Sequence, residues 1–115
     1  MDLQDEILSN PSLLNSTFDL LQSRISSNPK NGNVILRVFT ISCSFQSNGI
    51  PRVDEKIASR PFLDLIQSTL TGAIKASEYS VIRVIQQNLE AIYREDRGRN
   101  EYLTSRMEEM RRLVI

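Results

Sequence analysis

Residues 78–93, EYSVIRVIQQNLEAIY, decide the fold. Ile82, Ile85, Leu89 and Ile92 recur at steps of three, four and three, which stacks them in one line along a helix. Val81, Val84 and Tyr93 widen that line into a face broader than a two-stranded seam needs, while Arg83, Gln86, Gln87 and Glu90 fall mainly opposite. The stretch is expected to be the central core helix, against which the other helices close.

Working back toward the N-terminus, SLLNSTFDLLQSRIS repeats the pattern, with Leu14, Phe18, Leu21 and Ile25 at helical steps and Leu13 and Leu20 flanking them. Asn10 is placed to cap this helix and Pro11 to open it, and Ser27-Asn28-Pro29 stops it. Residues 2–8 read as a short acidic turn with Leu3, Ile7 and Leu8 on its apolar side. The segment NVILRVFTISCSFQSNG admits two readings. As a helix it aligns Val34, Val38, Ile41 and Phe45; as a strand it alternates Phe39, Ile41, Cys43 and Phe45 with polar residues between turn signals. A lone strand leaves its backbone groups unpaired, so helix is expected, and a strand at 34–46 would have to pair with a second copy of the chain.

Closer to the central stretch, VDEKIAS is expected to form one or two turns capped by Asp54. Pro61 then opens a helix carrying Phe62, Leu65, Ile66, Leu70 and Ile74. Gly72 weakens that helix unless a neighbour approaches closely there. Ser77 is the expected cap of the central helix. Beyond it, REDRGRNEY is a charged bend around Gly98, followed by a helix with Leu103, Met107, Met110 and Val114 on one face, its acids early and arginines late, as the helix dipole favours.

The 115 residues suffice for one domain with a modest core. The predicted organisation is a single helical domain over 1–115, with 97–115 a separable C-terminal helix. The predicted class is all-α, a compact bundle of five to six helices; the alternative is a mostly helical chain with the 34–46 strand paired between subunits. The helices at 12–27 and 33–46 resemble the helix pairs of α-solenoid repeats, without diagnostic residues and over less than half of the chain. Zero formal net charge supplies no global field toward nucleic acid or an anionic membrane. One cysteine, Cys43, allows no internal disulfide and suits a reducing compartment. The acidic N-terminus lacks a signal-peptide pattern, so a cytoplasmic or nuclear setting is expected, with no membrane partner. The abrupt apolar ending, Leu113, Val114 and Ile115, is equally that of a fragment.

The sequence contains no histidine and no phosphate-binding glycine loop, which removes the commonest general base and most zinc and haem sites. No enzyme activity, cofactor or metal is expected. Cys43 reads as an inert thiol, and Asp54, Glu55 and Glu78 as solvated carboxylates with no ligand spacing. Two kinds of site follow. The C-terminal helix offers Leu103, Met107, Met110 and Leu113 as contact anchors with Arg106 and Arg111 at a polar rim, because five apolar helix faces exceed what one small bundle covers. Arg94, Arg97, Arg99 and Arg112 are the candidate phosphate contacts, although Glu90, Glu95, Asp96, Glu101, Glu108 and Glu109 interleave with the arginines. The expected function is a non-enzymatic protein–protein interaction module that self-associates, most simply as a dimer, through the C-terminal helix or the 34–46 segment. A small regulatory or accessory protein, of which viral accessory proteins are one kind, fits that description, and an unidentified protein partner is open. The alternative is a nucleic-acid-binding regulator using the arginine-bearing C-terminal helices.

Overall fold

Every apolar period found in the sequence becomes a helix. The computed structural model describes residues 3–10 and 12–114, and these form seven helices and no strand. They are α1 (Leu3–Ser9), α2 (Ser12–Ser27), α3 (Gly32–Ser47), α4 (Val53–Ile57), α5 (Arg60–Lys75), α6 (Tyr79–Asp96) and α7 (Glu101–Val114). The all-α bundle expected from the sequence is what forms. Its helix count exceeds five to six because the short segments at 3–9 and 53–57 each close into turns of their own. Asp2, Pro11, Ile115 and the side chain of Leu3, to which roles were assigned above, lie outside the described residues.

The ambiguous 34–46 segment lies within α3. Asn31 caps it, its Oδ1 accepting from the N–H groups of Asn33 (3.1 Å) and Val34 (3.2 Å). As a helix, the segment pairs its backbone internally and needs no second strand. Its buried face is Ile35, Val38, Phe39, Ser42 and Phe45, with Val34 and Ile41 only half-buried. Ser42 is fully buried there because its hydroxyl donates to the Val38 carbonyl at 2.9 Å.

Two caps differ from expectation. Asp54 sits inside the first turn of α4, which starts after Arg52 in a left-handed conformation (φ 68°) with no side-chain cap. Ser77 finishes α5 rather than starting α6: its φ is 56°, its N–H donates to the Ile74 carbonyl, and Glu78 occupies the cap position without a side-chain bond. An N-cap needs extended backbone, which a left-handed residue does not supply. Ser59 is a regular cap for α5, accepting from the Phe62 N–H at 3.4 Å with Pro61 in the first turn.

Short turns make α2–α3 and α5–α6 two antiparallel hairpins, and the hairpins stack on each other. The α2–α3 turn and the start of α6 line one shallow depression, with Gly32 facing the Ser80 hydroxyl, so α3 and α6 run parallel. Ser26 near the end of α2 lines another depression with Leu65 to Ala73, so α2 and α5 run parallel too. α3 against α6 is the most extensive pairing. α7 returns along the groove between α5 and α6, parallel to α5. The result is two rows, α2–α5–α7 and α3–α6, closed at one end by α1 and α4. The shortest dimension of the molecule, 19 Å, is that of two helix diameters.

One contiguous core runs through both rows, from Ile7 to Met110. Phe62 stands at its centre, edge-on to Phe18 of α2 (centroids 5.9 Å apart) and to Phe39 of α3 (6.4 Å). The central helix holds its predicted place: Val81, Ile85, Leu89 and Ile92 are buried and Ile82 half-buried.

Candidate interaction surface

The bend between α6 and α7 decides what remains available for contact. Arg97 and Gly98 both take positive φ (58° and 74°) and reverse the chain. Asp96 is buried at the end of α6, where its Oδ2 accepts from the Asn100 N–H at 3.0 Å. Asn100 in turn caps α7, its Oδ1 accepting from the Leu103 N–H. These bonds lay α7 back along α6 as the second half of a hairpin.

Three of the proposed anchors are consumed by that packing. Leu103, Met107 and Met110 are 2%, 1% and 2% exposed within the single chain. Met107 and Met110 share a narrow hollow with Leu70 of α5 and Leu89 of α6. Leu113 alone of the four remains exposed, at 40%. The apolar face of α7 is thus covered by α5 and α6 without a second copy.

The two rim arginines are engaged as well. Arg106 is buried, donating through Nη1 to Asp64 Oδ1 (2.6 Å) and the Tyr102 hydroxyl (2.7 Å) and through Nη2 to Gln67 (2.7 Å). Burial works against its charge, but the bonds to Asp64 and Tyr102 outweigh it and raise its pKa. Its buried Nε makes no hydrogen bond, and the Glu109 carboxylate stands 3.8 Å away. Arg111 forms a two-pronged bond with Glu90 of α6, 2.8 Å on each side, and lies over the Tyr93 ring at 5.0 Å. Arg111 holds the Glu90 carboxyl below its ordinary range, and Glu90 raises Arg111 in return. This pair roofs the α6–α7 groove with polar groups.

The phosphate candidates do not form one patch. Arg97 and Arg99 share the bend and Arg94 lies one turn before it, all exposed. Arg112 is near the far end of α7, some 20 Å along the helix at about 1.5 Å per residue, and faces Glu108 at 3.9 Å. Cys43 is half-buried; burial foremost, and then the Glu95 carboxylate, push its thiol pKa up. Among the described residues no group of three or more Cys, Asp and Glu side chains is arranged to hold a metal ion. No helix among them is long and apolar enough to cross a membrane.

Apolar side chains are exposed at several places, Leu8, Leu36 and Tyr79 among them, and one apolar stripe lies on the outer edge of the first hairpin. At 100° per residue Leu13, Leu20 and Arg24 share one side of α2, away from Ser26, which faces α5. Val34, Arg37 and Ile41 share the side of α3 away from Cys43, which senses Glu95 of α6. Leu20 is 56% exposed, and Leu13, Val34 and Ile41 are half-buried. Arg24 and Arg37 are exposed and make no ion pair among the described residues. The clue in the sequence is the doubled apolar positions Leu13-Leu14, Leu20-Leu21 and Val34-Ile35: a helix packed on one side uses only one stripe of each pair.

Compared with known proteins, the chain matches no family model, no curated protein and no solved structure.

Proposed function

We propose that this protein is a non-enzymatic interaction module that self-associates through the outer edge of the α2–α3 hairpin. The observation that carries this is the second apolar stripe: Leu20 is exposed and Leu13, Val34 and Ile41 are half-buried, Leu13 and Ile41 packing on the core from outside, beside Arg24 and Arg37, which make no ion pair among the described residues. A contiguous apolar strip rimmed by charge is what an interface needs, and water is a costly neighbour for it. The absence of histidine from the sequence favours a binding role over acid–base chemistry, and the lone cysteine suits an intracellular setting. The interface moves from the C-terminal helix to the first hairpin because α5 and α6 already cover Leu103, Met107 and Met110. Light scattering on a sizing column, at two protein concentrations and at low and high salt, tests the reading. A mass above the 13.1 kDa of one chain that rises with concentration is expected. A single-chain mass in every condition would overturn it.

A further inference from the structure

We infer that the outer side of the α3–α6 row binds the phosphate backbone of a duplex nucleic acid. Such binding is independent of the self-association proposed above. In α6 the buried stripe faces the core, Glu90 and Tyr93 meet Arg111 of α7, and Glu95 lies toward α3, where its charge acts on Cys43. Arg83 and Arg94 share the side that is left, and both are exposed. Arg37, the only charged residue of α3, is exposed on the side of its helix away from Cys43. The two helices run parallel with Gly32 beside the Ser80 hydroxyl, so Arg37, five residues on, and Arg83, three residues on, stand level to within about 3 Å. Arg94 follows about 16 Å further along α6. Lys30 on the α2–α3 turn extends this strip at one end; Arg97 and Arg99 on the bend extend it at the other, with Glu101 close by in the chain. None of the six cations makes an ion pair among the described residues. Of the α6 carboxylates besides Glu95, Glu90 is held by Arg111 through both oxygens and Asp96 is buried, so neither neutralises the strip. What lies between the cations selects the occupant. Thr40, Gln86 and Gln87 are exposed there, and the exposed apolar side chains of the row are Leu36 and, at the start of α6, Tyr79. A protein partner needs a cluster of apolar anchors, and a single strand needs a track of aromatic rings on which bases stack. Guanidinium groups spaced along two parallel helices suit the repeated charge of a duplex backbone, gripped without reading its sequence. Zero net charge supplies no long-range pull, so dissociation constants on the order of 10⁻⁴–10⁻⁶ M are expected.

Fluorescence anisotropy of a labelled DNA duplex, titrated with the whole chain at low and high salt, tests this. Binding is expected to weaken roughly 100-fold between about 50 and 200 mM salt, the loss that about four phosphate contacts give. Arg83→Gln and Arg94→Gln are each expected to weaken binding and to lower the salt slope by about one. Arg112→Gln, which removes an arginine facing Glu108 on α7, is expected to change neither. All three positions are exposed, and circular dichroism checks that the variants keep the helicity of the wild type. A labelled single strand of the same length and labelled polyglutamate are titrated alongside. Absence of duplex binding at low salt overturns the proposal. Equal weakening by Arg112→Gln and Arg83→Gln means diffuse attraction, and overturns the assignment to the α3–α6 row. Tighter binding of the single strand overturns the duplex, and polyglutamate bound as tightly as DNA overturns nucleic acid in favour of an acidic protein. A wild type that self-associates without binding DNA leaves the proposed function standing and overturns this surface; one that binds DNA at single-chain mass does the reverse.

Discussion

Arg106 and Arg111 sit five residues apart on one helix, yet the structure uses them differently. Arg106 has a 10% exposed side chain with three partners on α5 and α7, so it fixes where α7 meets α5. Arg111 has a 43% exposed side chain and meets a Glu90 that is 42% exposed, so water screens the pair and it is worth at most about 1 kcal/mol despite good geometry. The pH dependence follows from the direction of the Glu90 shift. Its folded-state carboxyl titrates below the ordinary 4.5, so the pairing stabilises the fold above that value and is lost as pH falls through the lowered one. Glu90→Gln is expected to lower the urea midpoint at pH 7 by the equivalent of up to about 1 kcal/mol, a deficit that shrinks as the pH is taken progressively below the ordinary 4.5. A deficit that stays constant on acidification would show that Glu90 acts through packing rather than charge.

At the scale of the element, helix existence was legible from the apolar period and helix rotation was not. Leu14, Phe18, Leu21 and Ile25 form the buried stripe of α2 as the spacing requires. In α3 the doublets Val34-Ile35 and Val38-Phe39 permit two stripes about 100° apart, and the buried face combines Val38 and Phe45 of one with Ile35 and Phe39 of the other, leaving Val34 and Ile41 half-buried. In α5, Leu63 and Ala73 join Phe62, Ile66 and Leu70 inside, while Leu65 and Ile74 stay half-buried. Contact with two neighbours at once sets these rotations, and a one-dimensional period carries no record of it. Arg106, read from the sequence as a rim residue, is buried for a reason of the same kind: its partners Asp64 and Gln67 are 42 and 39 residues away. Gly72 gives the sharpest test at this scale. It is exposed on α5, and a Cβ built on it meets nothing within 4 Å. Gly72→Ala is therefore expected to stabilise the protein by about 1 kcal/mol in chemical denaturation. A loss of stability would mean that the helix needs backbone freedom there.

At the scale of the whole molecule, five of the seven helices among the described residues lie in two rows, with α2–α3 at one edge and α7 at the other. The end at α7 is finished with polar groups, the Glu90–Arg111 pair and the crest of Glu101, Glu108 and Arg112. The end at α2–α3 retains its second apolar stripe. Amphipathicity alone marks the face of α7 as a contact face, and within the single chain α5 and α6 already cover it. In the sequence, Met107 and Met110 look as available as Leu20, because a helical period shows that a face is apolar and not what covers it.

The most direct measurement pairs Met107→Glu/Met110→Glu with Leu20→Glu, each followed by thermal melting in circular dichroism and by light scattering. Carboxylates placed where Met107 and Met110 are 1% and 2% exposed have no partner and no water, so that double variant is expected to lose several kcal/mol and melt far below the wild type or fail to fold. Leu20→Glu, at an exposed site, is expected to melt within a few degrees of the wild type and to remain a single chain where the wild type associates. A methionine variant that stays fully helical and becomes monomeric, beside a Leu20→Glu protein that still associates, would put the interface on α7 and contradict the packing described above.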